Sequence, residues 1–205
     1  VIQGLIFEDW SDMAFQFGFG NPTGVDLPYE SAGLVPTTDY LNERYTSRGW
    51  STGNLLSFVI GQGDVLATPI QLCQMMNIVA TNGQTGVPHF NMNAEVPPVN
   101  LKLKPKTWTF LNEALFDVVN ADDGTGKNAR ILEEAVITGK TGTSQNPHGD
   151  DHSSFAGVIT TVNGKKMTLY VIIENGGKGS GIASELASNI FQAFVMQQKG
   201  FSSID

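Results

Sequence analysis

The sequence predicts an α+β fold: helices and long loops first, then an antiparallel sheet, then a helix laid back on it. Three observations point there. Residues 68–82 place apolar side chains at helical spacing. Residues 135–174 switch to period two around Asn163-Gly164, a strong hairpin signal. Residues 182–198 return to helical spacing, which sets helices on the faces of a sheet rather than between parallel strands.

Each element follows from local chemistry. Ile2, Leu5, Ile6, Trp10, Met13, Ala14 and Phe17 recur at helical spacing, and the glycines and Pro22 of "FGFGNPTG" end that run. Residues 20–56 are rich in Gly, Pro, Thr and Asn and read as long ordered loops. Thr68 can cap the next helix, Pro69 suits its first position and Gln71 completes a capping box. Leu72, Met75, Met76 and Val79 form its expected apolar stripe, and Asn82-Gly83 stops it. Residues 84–106 hold Pro88, Pro97, Pro98 and Pro105 and read as a connector. Thr107 opens a helix with Leu111, Ala114, Leu115 and Val118 on one face, and "NADDGTGKNAR" reads as a turn.

"AVITGKT" is a short β run, and "SSFAGVITTV" and "KKMTLYVIIEN" flank the hairpin. In the second of these, Met167, Leu169, Val171 and Ile173 alternate with Thr168, Tyr170, Ile172 and Glu174, so both faces are largely apolar, as in a sheet covered on both sides. The closing helix presents Ala183, Leu186, Ala187, Ile190 and Phe194. The division expected is helices and loops over 1–135 and strands with the closing helix over 136–205.

Composition narrows the function. The 205 residues carry 12 Lys plus Arg against 20 Asp plus Glu, a net charge of −8 that repels phosphodiester backbones and argues against nucleic acid as a partner. Cys73 is the single cysteine and sits in an apolar run, where burial is expected. The chain starts at Val1 without a signal-type segment and reads as a piece of something longer.

The stretch "ITGKTGTSQNP" (137–147) carries the chemistry. A phosphate loop would need Gly at 134, where Glu134 stands, and a helix after Thr141, which the following Pro and glycines refuse. As an extended strand, Lys140 and Gly142 alternate with Thr141 and Thr143, so the two hydroxyls project one way and the ammonium the other. Hydroxyls beside backbone amides and an ammonium suit a carboxylate and a developing oxyanion. Gly139 and Gly142 let another chain approach closely.

"GKTGTSQ" resembles the Lys-Thr-Gly motif of penicillin-recognising enzymes. "FGFGNPTGVDLPYESAGLVP", "IGQGDVLATPIQLCQMMNIVATNG", "GTGKNA", "DHSSFAGV" and "VIIENGG" occur around it in the order seen in class B penicillin-binding proteins. The chain is therefore similar to an elongation-type peptidoglycan D,D-transpeptidase, over nearly its whole length. One departure is Ser153-Ser154, where many relatives carry Ala-Trp.

The resemblance implies a penicillin-binding-protein and serine β-lactamase-like fold without cofactor or metal. Lys140 would supply charge beside the nucleophile, Thr141 and Thr143 would bind the substrate carboxylate, the Thr143 amide would donate to the oxyanion, and Gly142 would let the peptide lie alongside. It implies stem peptides, β-lactams and the cell-wall elongation machinery as partners. It also implies a place on the extracytoplasmic, periplasmic face of the inner membrane, with an anchor not present in this chain.

The family also uses Ser-x-x-Lys and Ser-x-Asn motifs, and both are read as lying upstream of Val1. The chain would then be the C-terminal part of a transpeptidase domain, inactive alone, with an exposed strand edge around 166–174 prone to self-association. A D,D-carboxypeptidase or β-lactamase, and a non-catalytic cell-wall scaffold or sensor, remain alternatives. The long 17–64 region, absent from compact β-lactamases, counts against the first of these. His148, Asp150, Asp151 and His152 lack metal-site spacing and read as a solvated loop. Asp64 reads as a turn residue, and His89 has no assigned role.

Overall fold

The computed structural model describes residues 7–46, 49–131 and 134–201. The expected helical positions Ile2, Leu5 and Ile6 lie outside them. Two compact units form: Val1–Met75 with Gln84–Leu101, and Met76–Gly83 with Lys102–Asp205. No helix among the described residues is long and apolar enough to cross a membrane.

The first unit opens with α1 (Phe7–Gln16). Two short helices, α2 (Thr38–Arg44) and α3 (Thr52–Val59), follow. The second of these lies largely, and the first wholly, in the stretch expected to be loop. Their cue was the caps: Thr37 accepts from the Tyr40 amide, and Ser51 forms a capping box with Asn54. Phe7, Leu41, Leu55 and Phe58 make the core, with Trp10 and Trp50 against Phe7. Asp64 accepts from the Tyr45 hydroxyl (2.8 Å) and pairs with Arg44 (3.3 Å), a structural role.

Helix α4 (Pro69–Ala80) starts at the predicted capping box: the Thr68 amide donates to Gln71 Oε1 (2.8 Å) and the Gln71 amide to Thr68 Oγ1 (3.3 Å). It ends where Asn82 and Gly83 turn left-handed, at φ 52° and 89°. Its buried face differs from the predicted stripe. Gln71, Gln74, Met76, Ile78 and Val79 are buried, whereas Leu72, Met75 and Cys73 are only partly so. The polar pair is buried because each amide serves backbone carbonyls: Gln71 Nε2 donates to Asn21 O and Ala32 O (both 2.8 Å), and Gln74 Nε2 to Gly86 O (3.1 Å).

The expected connector contains two short strands, β1 (Gln84–Gly86) and β2 (Pro98–Asn100), paired antiparallel. Pro98 is tolerated because it is the first residue of its strand. His89 Nδ1 lies 3.1 Å from Val87 O.

In the second unit, α5 (Pro105–Asn120) begins two residues before Thr107, with Pro105 in its first turn. A three-stranded antiparallel sheet follows in the order β3 (Ala135–Ser144), β4 (His152–Thr161), β5 (Lys166–Ile173). The β4–β5 hairpin forms as predicted, but its turn has Gly164 alone at positive φ (79°), with Asn163 on the ordinary side. The Gly164 amide returns to Thr161 O (2.9 Å), a three-residue loop rather than the two-residue turn that Asn-Gly favours.

Helix α6 (Ile182–Phe201) packs on β4 and β5, and α5 on β3. Phe155, Ile159, Val171, Ala187, Phe191 and Val195 form the core between sheet and α6, with the Phe155 and Phe191 rings edge to face at 6.5 Å. Leu186, expected inward, is 38% exposed; Phe191 takes the central place. On β5, Met167, Leu169, Val171 and Ile173 meet this core, while Ile172 on the other face is 43% exposed. Among the described residues β5 pairs with β4 only, so its outer edge is open.

Candidate active site

Residues 139–143 are extended and lie toward the C-terminal end of β3. Opposite residues of an antiparallel pair project from the same face. The register sets Thr141 against Phe155 and Thr143 against Ser153, which puts both hydroxyls on the α6 side. Lys140 opposes Ala156 and Gly142 opposes Ser154, on the other side. The alternation read from the sequence is thus the one built.

The backbone of β3 also alternates. Asn120 Nδ2 donates to Ile137 O (2.8 Å), and Lys140 Nζ to Thr141 O (2.8 Å). In an antiparallel ladder each residue turns both backbone groups to its partner or both away. Ile137 and Thr141 therefore turn theirs away from β4, and Gly139 and Thr143 share that parity. The Thr143 N–H lies on the outer edge of the strand, and the Lys140 ammonium has swung to the same edge.

The glycines serve closer contacts than expected. A methyl on Gly139 would lie 2.5 Å from the Phe155 ring and 2.7 Å from Ala156 O. A methyl on Gly142 would overlap the Ser154 hydroxyl. The close approach is thus made first by neighbouring β4. Ser154 also hydrogen-bonds Tyr170, whose phenol burial holds above its usual range while that bond opposes the shift. Buried Ser153 donates to Lys178 O (2.9 Å).

Two supports of this strand carry no functional reading in the sequence. Thr125 Oγ1 lies 2.9 Å from Thr141 Oγ1, so the "GTGKNA" turn reaches the hydroxyl row. The Gly179 N–H donates to Thr143 Oγ1 (3.0 Å). A side chain at Gly179 would collide with the Gly142 peptide, 2.6 Å from its carbonyl carbon and 2.8 Å from its nitrogen. Asn128 Nδ2 donates to Ser180 O (2.9 Å), tying the two supports together. The glycines of 124–126 and 176–181 were the only available signal, and glycine spacing alone does not reveal a tertiary contact.

The acidic and histidine loop after β3 is a hydrogen-bonded clasp. The Asn175 amide donates to His152 Nδ1 (3.0 Å), the Asn146 amide to Asp151 Oδ1 (3.3 Å), and Asn146 Nδ2 to Asn175 Oδ1 (2.8 Å). No group of three or more His, Cys, Asp or Glu among the described residues is arranged to hold a metal. The placement of every Ser-x-Asn upstream needs one correction, since Ser144-Gln145-Asn146 fits that pattern. Its asparagine side chain is engaged in this clasp, and its serine ends β3 opposite His152.

An edge strand bearing Lys-Thr-Gly-Thr, backed by a hairpin and a C-terminal helix, places the fold in the penicillin-recognising class. The chain belongs to the penicillin binding protein transpeptidase domain family, which it matches over residues 5–192. It is 32% identical over 209 residues to the peptidoglycan D,D-transpeptidase MrdA of Haemophilus influenzae, covering 89% of this chain and 32% of that protein. It is 33% identical over 210 residues to MrdA of Acinetobacter baumannii, covering 90% and 30%. The chain thus spans about a third of the length of the curated relatives it matches. Among solved structures, Pseudomonas aeruginosa PBP2 in complex with WCK 5153 superposes with a TM-score of 0.80 at 28% identity, covering 93% of this chain and 43% of that one. Helicobacter pylori PBP2 in its complex with MreC gives 0.79 at 28% identity, covering 92% and 36%.

Proposed function

We propose that this chain is the C-terminal part of a peptidoglycan D,D-transpeptidase domain and forms one wall of its active site. One observation carries the reading. The Lys140-Thr141-Gly142-Thr143 strand pairs with β4 on one side and turns alternate backbone groups, Thr143 N–H among them, to the other.

In the proposed reaction a serine supplied by the rest of the protein attacks the penultimate D-Ala carbonyl of a stem peptide. The carbonyl π pair moves to oxygen and D-Ala leaves as the amine takes up a proton. An amine of a neighbouring stem peptide then displaces the serine and completes the crosslink. Lys140 supplies positive charge near the serine, Thr143 N–H donates to the oxyanion, and the Thr141 and Thr143 hydroxyls hold the terminal carboxylate. Gly142 keeps the strand free of a side chain that Ser154 would obstruct. β-Lactams enter by the same route and stop at the acyl-enzyme.

The proposed setting is the extracytoplasmic face of the inner membrane, with the elongation machinery as partner. The MreC complex of the similar Helicobacter pylori protein supports that assignment. The test is labelling by a fluorescent penicillin. The parent protein is expected to label stoichiometrically, and its Lys140→Ala variant to label far more slowly. The 205-residue chain, in which no serine has a lysine three positions on, is expected to stay unlabelled. A covalent adduct on the isolated chain, or a parent indifferent to Lys140, refutes the assignment.

A further inference from the structure

We propose that two joined loops of the first unit, residues 24–31 and 87–97, dock a protein partner that is apolar at the centre of its contact and basic around it. This holds independently of the acyl-transfer chemistry of β3.

The loops meet at one carboxylate. Asp26 accepts from the Phe90 and Asn91 amides, both at 2.7 Å. Glu30 pins the first loop by accepting from the Thr23 amide (2.7 Å), the Thr23 hydroxyl (2.6 Å) and the Gly24 amide (3.0 Å). The second loop is closed at its base by Val87 N–H to Pro97 O (3.0 Å) and turned at its tip by Ala94 N–H to Asn91 O (3.0 Å). Four large apolar side chains stand in solvent on this frame: Leu27, Tyr29, Phe90 and Met92. Scattered singly, such residues are ordinary on a surface. Here all four lie within three positions of the Asp26 bonds, which draw them into one neighbourhood.

Tyr29 shows that the exposure is not indifferent. Its backbone is left-handed, at φ 63°. There a Cβ crowds the following carbonyl, while glycine sits freely. Its side chain is fully exposed, so burial within the chain gives nothing in return. A strained, solvent-exposed aromatic residue fits an anchor for a surface that covers it on binding.

Charge selects the partner. The first unit holds nine Asp and Glu against two Arg, which accounts for −7 of the net −8. Asp26, Glu30 and Glu95 belong to the two loops, which have no Lys or Arg. Such a rim attracts a basic surface and repels an anionic membrane, a nucleic acid or a second copy of the same face. A sugar strand fits less well, because Asp26 and Glu30 are committed to backbone amides rather than turned to ligand hydroxyls. Aromatic and methionine side chains at the centre with charge at the edge match the layout of protein–protein contacts.

The experiment places p-benzoylphenylalanine at position 29 or 90 of the parent protein in its native cells. Irradiation is expected to give an adduct with a different protein, identified by mass spectrometry. Once purified, that protein is expected to bind the parent with a Kd raised about tenfold or more by Tyr29→Gly and by Phe90→Ser. Its association should slow as ionic strength rises. Both variants should keep wild-type acylation by penicillin, and Tyr29→Gly should melt no lower than wild type, since glycine relieves the left-handed backbone. No adduct, an adduct within the parent, or one to a second copy, to lipid or to glycan would overturn the proposal. So would a captured protein whose affinity ignores both variants or whose association ignores salt, or a Tyr29→Gly variant that melts well below wild type. A parent that no penicillin labels defeats the transpeptidase reading and leaves this docking test standing.

Discussion

Replacing Gln71 with methionine tests how the loops of the first unit are held. The side chain is 1% exposed. Its Nε2 donates to Asn21 O and Ala32 O at 2.8 Å, with a longer contact to Gly18 O at 3.4 Å, and its Oε1 accepts from Thr68 N at 2.8 Å. Methionine matches the length and supplies none of these bonds. Three well-formed bonds at about 0.5–1.5 kcal/mol each, lost without water to replace them, give about 3 kcal/mol. That is a large share of an ordinary 5–15 kcal/mol stability, and about 6–12 °C in melting temperature for a chain of this size. Tryptophan fluorescence during thermal unfolding reads it, since Trp10 and Trp50 pack in the same unit. Gln71→Glu should be worse still, because it sets a carboxylate against carbonyl oxygens. A methionine variant melting within 2 °C of wild type, or a glutamate variant more stable than it, would refute the reasoning.

Three further outcomes are expected. Phe155→Ala, which empties the fully buried centre between sheet and α6, should cost about 3–5 kcal/mol in urea unfolding. Gly142→Ala should destabilise β3 by collision with Ser154, and Ser154→Gly in the same chain should recover most of the loss. Acid should weaken the first unit: Asp26 is held below its usual range by the Phe90 and Asn91 amides, and Glu30 by Thr23 and the Gly24 and Val25 amides, which outweigh burial. A depressed folded-state pKa means stability present above the unfolded value of ~4 and lost as pH falls below it. Melting temperature against pH should drop there, and Glu30→Gln should flatten the fall.

The residues of the proposed site are the easiest to read. Lys140, Thr141 and Thr143 sit in a local pattern whose period two is a property of any strand, so their faces followed from order alone. The Thr68-Pro69-Gln71 start was legible because a capping box is made within four residues. The short helices at 38–44 and 52–59 and the strands at 84–86 and 98–100 were harder to see. Each is too brief to show a period, and caps or prolines there point several ways.

By itself the order of residues determined where chain direction and side-chain parity must change: the helix starts, the hairpin, and the extended Lys-Thr-Gly-Thr run. Only the tertiary structure decided which distant atoms meet that run, namely those of Thr125, Gly179 and Ser154, and, separately within the first unit, which three carbonyls Gln71 gathers. The reason is physical. Parity and capping are set by bonds a few residues long, whereas these contacts depend on loop closure across 12 to 53 positions, which no local preference encodes.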